Sequence, residues 1–184
     1  MKSDTSVLLN DLRLQVKELM RITQSRFLAE TQETLLKQPE PGKWCAAECL
    51  DHLNAYSRFY IPEMEAAVAA HKGTAPASFK SGWLGNYFTK MMQPKQDGTL
   101  SMKMQAPKAY RPQADLNAGQ VVQEFSMWLQ RMDDVLVRAA QADIQHIRIP
   151  TTLGNWLKFS LGDTFRFVLA HEDRHVRQAL RAMV

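Results

Sequence analysis

Apolar positions recur in steps of three and four through four long stretches of the chain, which predicts four long helices. The first stretch covers residues 3–37, where Ser3 or Asp4 can serve as the N-cap. No glycine or proline interrupts it before Pro39, so we expect one continuous helix.

The second predicted helix follows a compact turn, PEPGKW, at residues 39–44. The turn is short enough to send this helix back antiparallel to the first. Its start, CAAE, resembles a capping box in which Cys45 replaces the usual serine or threonine and Glu48 occupies the third position. Pro62 should kink the helix or force an irregularity, and the helix should end near His71.

The third and fourth predicted helices complete the set. The third covers residues 117–141, and the fourth begins with Asp163 as its N-cap and continues to the end of the chain. Steps of four and three in the third helix are typical of a seam packed lengthwise in a bundle. That seam consists of Val121, Phe125, Trp128, Met132, Val135 and Ala139.

Two connections join these helices. Residues 73–116 contain Pro76, Pro94, Pro107 and Pro112 together with many aromatic and methionine side chains, and a short helix is plausible at 83–92. A connection of this length is commonly functional. After residues 142–155, residues 156–161 form either a helical turn or an extended arm. IRIP, residues 147–150, alternates but is too short to predict a strand. We therefore predict an all-α chain, with one domain over residues 1–184 and a long crossover between the second and third of four helices.

Composition and charge argue against several classes of protein, including nucleic-acid-binding and membrane-spanning proteins. The chain is 45% hydrophobic and 23% charged, with a net charge of +4 that is spread along its length, which argues against a nucleic-acid-binding protein. Arg174, Arg177 and Arg181 share a helix face, but a solvated flank explains them more simply than DNA binding. No apolar run could cross a membrane, and the N-terminus does not resemble a secretory signal. Cys45 and Cys49 are poorly placed for a disulfide, which points to free thiols and a cytoplasmic location.

The chemistry of the chain centres on its histidines. In HEDRH, His171 and His175 lie four residues apart and therefore on one helix face, with the charged residues around them expected to face water. The pair alone fits two hydrogen-bonded histidines as well as two metal ligands. Among the other histidines, His71 suits the C-terminal end of the second helix and His146 has no apolar face around it. His52 is flanked by inward residues, where an unpaired imidazole would be costly.

Two motifs carry a family resemblance. PGKWCAAECLDHL (residues 41–53) and AHEDRHVRQ (residues 170–178) resemble the second-helix and last-helix motifs of the DinB/YfiT-like family of proposed metalloenzymes. The long crossover, which contains KMQAPKAYRP, matches as well. The resemblance implies a four-helix bundle, frequent homodimers, and a divalent metal held by His52, His171 and His175. Three imidazoles without a carboxylate suit zinc, nickel or iron about equally.

An open three-ligand site is the catalytic type of metal site. By resemblance, we expect a metal-dependent thiol transferase or hydrolase in which water or a low-molecular-weight thiol attacks a small electrophilic substrate, beneath the 73–116 connection. Glu48, Tyr56 and Gln178 could orient the ligands, or could be a helix cap, a core aromatic and a bundle-facing amide. Cys49 is either a buried small residue or a soft group near the metal.

A second hypothesis is a helical-bundle dimer that binds metal or a small ligand without turnover. The aromatic connection would then be a contact surface. A catalytic centre predicts an open site with an exchangeable ligand, whereas a structural centre predicts a closed one.

Overall fold

The computed structural model describes residues 2–93 and 105–184, which form a mostly helical structure with two small sheets. The part of the crossover at residues 94–104 therefore lies outside the described residues. Within the described ranges, no helix combines the length and apolar character needed to span a membrane. The α-helices are α1 (Thr5–Ile22), α2 (Gln32–Leu36), α3 (Ala46–Ala70), α4 (Trp83–Met92), α5 (Ala118–Ala139) and α6 (Leu161–Ala182). The strands are β1 (Lys2–Asp4), β2 (Ser78–Lys80), β3 (Arg148–Thr151) and β4 (Gly154–Ser160).

The four long helices α1, α3, α5 and α6 surround a shared apolar core. Helix α5 packs against α1 and α3, and α6 packs against α3 and α1. The predicted seam of α5 is buried along its whole length. The short helix α4, which the sequence predicted within the crossover, lies against α6. Mostly helical packing of this kind agrees with the all-α prediction.

The prediction of one helix over residues 3–37 is wrong. Residues 2–4 form a strand that pairs with β2, and Asp4 caps α1 by accepting hydrogen bonds from the amides of Ser6 and Val7. Helix α1 ends at Ile22, a π-helical turn follows at Thr23–Phe27, and Thr31 then caps the separate helix α2. The break does not need a glycine or a proline. A threonine hydroxyl can also bond to nearby backbone groups and so end one helix or begin the next.

The expectation of no strands is also wrong. IRIP contributes β3, which pairs antiparallel with β4 over residues 154–160, and Ile149 faces Phe159 across the pair. The extended arm is therefore the correct alternative for residues 156–161. These strands are short, and their backbone groups find partners only when the chain has folded, so period-two alternation gives little signal.

The sequence predicted the N-terminal cap of α3 correctly but not that of α6. The capping box of α3 is confirmed: the Cys45 sulfur accepts from the Glu48 amide, and the Glu48 carboxylate accepts from the Cys45 amide at 2.8 Å. Helix α3 continues unbroken through Pro62. For α6 the prediction of Asp163 as N-cap is wrong, because Ser160 is the N-cap and accepts from the Asp163 amide at 3.2 Å.

The charges near the histidines do not all face water, contrary to the prediction from HEDRH. Glu172 is 1% exposed and Arg174 is 7% exposed. The Arg174 guanidinium donates to the Met91 carbonyl at the C-terminal end of α4, so it holds α4 against α6. The Glu172 carboxylate finds no hydrogen-bond partner in the described part of the chain. Burial raises the pKa of Glu172 to about 8, because removal from water penalises the charged form.

We expect Glu172→Gln to stabilise the protein increasingly as the pH rises. The unfolded carboxyl ionises near 4.5 and the folded one near 8. Between these values the unfolded state binds fewer protons, so wild-type stability falls with rising pH. The variant should gain on the order of 2–4 kcal/mol in free energy of unfolding, relative to wild type, between pH 5 and pH 8.

Urea denaturation in the presence of a chelator measures this gain. Glu33→Gln, at an exposed position on α2, is the matched control and should follow the wild-type profile. A Glu172→Gln profile parallel to wild type would show that burial of the carboxyl carries no such cost.

Candidate metal centre

Helices α3 and α6 bring the three predicted histidines together. The two helices run antiparallel, so that Tyr60 contacts Phe167, Tyr56 contacts His171 and His52 contacts His175 in turn. His52 and His171 are buried, at 3% and 4% exposure, and His175 is partly buried. The i, i+4 spacing on α6 places both of its imidazoles toward α3.

The three imidazoles offer converging nitrogen atoms. Nε2 of His52 lies 3.2 Å from Nε2 of His171, and one nitrogen from each of the three rings lies within 4.8 Å of the others. The ring centroids are 4.7 to 5.1 Å apart. The described residues thus include a group of three histidine side chains whose geometry could hold a metal ion.

Hydrogen bonds at the opposite nitrogens set the tautomers of two of the rings. His52 Nδ1 lies 2.5 Å from the carbonyl oxygen of Tyr110, which can only accept, so this nitrogen carries the hydrogen. His175 Nδ1 lies 3.0 Å from Oε1 of Gln178. Each of these contacts leaves Nε2 with a free lone pair, which is the arrangement that a metal-binding histidine needs.

The site keeps its imidazoles neutral. Burial lowers the pKa of His52 and, together with the proximity of His175 and His52, holds the pKa of His171 well below its usual value. Burial also lowers the pKa of His175 to about 3, with further contributions from His52 and Arg174. Neutral imidazoles are the form that binds a metal, so ligand protonation does not compete near neutral pH.

The donor set fits a divalent transition metal. Two nitrogens bound to one tetrahedral zinc at about 2.05 Å would be about 3.3 Å apart. The observed separation of 3.2 Å between His52 and His171 matches that value. The Nε2 atoms of His52 and His171 are therefore close enough either to share a hydrogen or to bind the same cation.

Aromatic side chains surround the histidines. The Trp44 ring lies 5.0 Å from His52 and 6.0 Å from His175, and the Tyr56 ring lies 4.5 Å from His171. Burial raises the pKa of Tyr56 to about 12, although its hydrogen bond with Thr152 acts to lower that pKa. The phenol therefore stays protonated near neutral pH. The walls of the site therefore carry little charge.

The three groups proposed to orient the ligands have different roles. Gln178 does bind one of the three clustered histidines, because its Oε1 lies 3.0 Å from Nδ1 of His175. Tyr56 packs its ring against His52 and His171. Glu48 caps α3, which is the simpler of its two roles.

Other residues that the sequence singled out lie away from the centre. Cys49 is fully buried in the apolar core as a free thiol and does not join the histidine group. Of its two predicted roles, the structure therefore supports a buried small residue and not a soft group beside the metal. The amide of Asp143 donates to Nε2 of His71, and the carboxylate of the same residue contacts His146. These two histidines therefore belong to a separate surface contact.

Sequence reasoning missed the contribution of the end of the crossover. The Tyr110 carbonyl accepts a hydrogen bond from His52, and the Gln113 amide donates to Asp51, the residue before His52. Backbone groups leave no signal in side-chain identity. Only the position of Asp51 beside His52 could have suggested its involvement.

Comparison with known families agrees with the geometry. The profile described as the DinB superfamily matches residues 15–179, a span that includes all three histidines. The chain belongs to the DinB superfamily. Searches of curated proteins and of solved structures gave no match. In this DinB-superfamily protein, the two motifs that carried the resemblance are thus the ones that deliver the converging imidazoles.

We expect this DinB-superfamily protein, purified without a histidine tag, to bind about one divalent ion per chain, as measured by elemental analysis after loading with zinc or nickel. His52→Ala, His171→Ala and His175→Ala should each abolish stoichiometric binding, since two imidazoles hold an ion far less well than three. His71→Ala and His146→Ala are matched controls outside the cluster and should bind as wild type does. Equal metal content in all six proteins would contradict the site.

Gln178→Leu should weaken metal binding by about 10- to 100-fold, because His175 loses the acceptor that fixes its ring and tautomer. Gln178→Glu keeps an acceptor at the same position and should retain most of the affinity. Competition against a chromophoric chelator measures both constants. If leucine and glutamate behave alike, the amide does not orient His175.

Proposed function

We propose that this DinB-superfamily protein is a metal-dependent enzyme that uses a thiol or water against a small electrophilic substrate, as a thiol transferase or a hydrolase. The observation that carries the proposal is the convergence of three neutral imidazole nitrogens, with no fourth protein ligand in the group among residues 2–93 and 105–184. Three-ligand sites leave a coordination position for a reactant, whereas structural zinc sites use four protein ligands.

The proposed ligands are Nε2 of His52, His171 and His175. When bound there, a zinc, nickel or iron ion would lower the pKa of a water or thiol and so supply a nucleophile near neutral pH. The hydrogen bonds from His52 to Tyr110 and from His175 to Gln178 hold the ligand rings in place before the reactants arrive. Such preorganisation is more effective than reorientation during the reaction.

The surrounding side chains favour an uncharged or aromatic substrate. The rings of Trp44 and Tyr56 lie beside the histidines at tilted angles, and neither side chain carries a charge near neutral pH. Trp44 and Tyr56 are both partly exposed, so one side of the cluster is in contact with solvent. The Tyr56 phenol can donate a hydrogen bond but cannot act as a base, since its pKa is about 12.

The wider setting of the site is part of the same proposal. We infer that α1, α3, α5 and α6 form a single-domain four-helix bundle joined by the long crossover, as in the DinB/YfiT-like family. The free thiols Cys45 and Cys49 support a cytoplasmic location, where thiols stay reduced. Family resemblance supports a homodimer, and exposed Trp83 and Trp156 could contribute to such a contact.

Turnover by the metal-loaded protein tests the proposal. A panel of small esters, epoxides and activated halides should be offered with water alone and with several low-molecular-weight thiols, each with wild type and with His175→Ala. We expect wild type to accelerate one combination at least about 100-fold over the variant, with activity lost on chelation and restored by metal.

Stoichiometric metal binding without turnover in any combination would favour the alternative, a bundle that binds metal or a ligand without catalysis. Equal activity of wild type and His175→Ala would exclude the three-histidine centre from the reaction.

A further inference from the structure

Asp51 is a buried carboxylate that lies next to the metal-ligand candidate His52 on α3. Its side chain is 5% exposed, and its Oδ2 accepts a hydrogen bond of 2.9 Å from the backbone amide of Gln113. A buried carboxylate is costly unless its oxygens are satisfied, so this contact is a firm attachment point for the segment that contains Gln113.

That segment, residues 106–113, is compact and is here called the strap. It forms a 3-10 turn at Lys108–Tyr110, in which the Tyr110 amide donates to the carbonyl of Pro107 at 2.9 Å. The Arg111 side chain donates back to the carbonyl of Ala106 at 3.1 Å. Pro107 and Pro112 restrict the backbone on either side of the turn.

Two consecutive residues of α3 hold the strap at points three residues apart. His52 Nδ1 binds the Tyr110 carbonyl at 2.5 Å, and Asp51 binds the Gln113 amide. The Tyr110 ring also packs on Tyr56, with ring centroids 4.6 Å apart. The carbonyl that fixes the tautomer of His52 is therefore placed by a backbone turn whose C-terminal end is bound to Asp51.

A second contact restrains Asp51 itself. Its Oδ1 lies 3.9 Å from Arg58, and Arg58 forms a two-pronged ion pair with Glu124 of α5, with distances of 2.8 and 2.6 Å. Arg58 therefore lies between Asp51 and α5, close enough for its charge to favour the Asp51 carboxylate. The chain of contacts extends from α5 through Arg58 and Asp51 to the strap.

We propose that Asp51 is a positioning residue for the metal centre: it anchors the strap so that the Tyr110 carbonyl holds the His52 imidazole with Nε2 directed at the ion. The inference rests on the proposed metal centre and adds a residue to it. Partners that orient ligand histidines contribute about 10- to 100-fold in metal affinity.

The test measures Co²⁺ affinity and the d–d absorption spectrum of the bound ion. Asp51→Ala should weaken Co²⁺ binding by about 10- to 100-fold and alter the spectrum, because His52 is no longer held in one orientation. Asp51→Asn keeps an oxygen acceptor for the Gln113 amide and should restore most of the affinity. Asp133→Ala, which removes a partly buried carboxylate that pairs with Arg13, is the matched control for general destabilisation and should bind as wild type does.

A double-mutant cycle with His52→Ala shows whether Asp51 acts through His52. At Co²⁺ concentrations high enough to reveal the weak binding that two imidazoles retain, adding Asp51→Ala to His52→Ala should change the affinity by less than about 3-fold, since the ring that Asp51 positions is gone. Faster hydrogen exchange of the Tyr110 and Gln113 amides in Asp51→Ala would report release of the strap, a readout independent of metal.

Several outcomes overturn the inference. These are wild-type affinity and spectrum in Asp51→Ala, an equal loss in Asp133→Ala, or full additivity with His52→Ala. If Asp51→Ala does not fold, failure of Asp51→Asn to bind Co²⁺ within about 5-fold of wild type has the same effect. A wild type that binds no Co²⁺ overturns both this inference and the metal centre. Tight binding without turnover counts only against the proposed activity.

Discussion

The antiparallel contact between α3 and α6 is the interaction on which the candidate centre depends. It places His52 opposite His171 and His175, and it brings Nε2 of His52 to 3.2 Å from Nε2 of His171. Three imidazoles in so small and largely buried a space stay neutral, because burial lowers the pKa of each ring. A divalent metal ion, if bound as proposed, would turn this concentration of lone pairs into a favourable arrangement. The aromatic packing along the same contact, from Tyr60 on Phe167 to Trp44 beside His175, keeps the two helices in register.

Helix α6 is covered on most of its faces, which explains why Asp163, Glu172 and Arg174 are buried. One side carries the histidines toward α3, and another carries Asp163, Arg166 and Arg174 toward α4. Asp163 accepts from the Gly82 amide and from Ser160, while Arg174 binds the last turn of α4. The buried charges of Asp163 and Arg174 are therefore satisfied by backbone groups at the two ends of α4, which have no partner within that helix. Glu172 has no such partner among the described residues, and its raised pKa is the physical result.

The end of the crossover connects the centre to the rest of the helical core. Through Tyr110 it determines which nitrogen of His52 is free, and through Gln113 it is attached to Asp51, which Arg58 links toward α5. A ligand that is oriented from outside its own helix can respond to changes at that outer contact. The end of the long connection therefore contacts the histidine cluster and is not only a link between helices.

The sequence by itself determined the long helices, the capping box at Cys45, the buried seam of α5 and the three histidines, since each of these follows from local spacing and side-chain type. It also carried the two motifs of the DinB superfamily. Only the tertiary structure decided the break after Ile22, the pairing of β3 with β4, the burial of Glu172 and Arg174, and the attachment of Tyr110 and Gln113 to α3. The reason is common to all of these features: each depends on a backbone group or a burial environment supplied by a distant part of the chain, and local periodicity does not encode such partners.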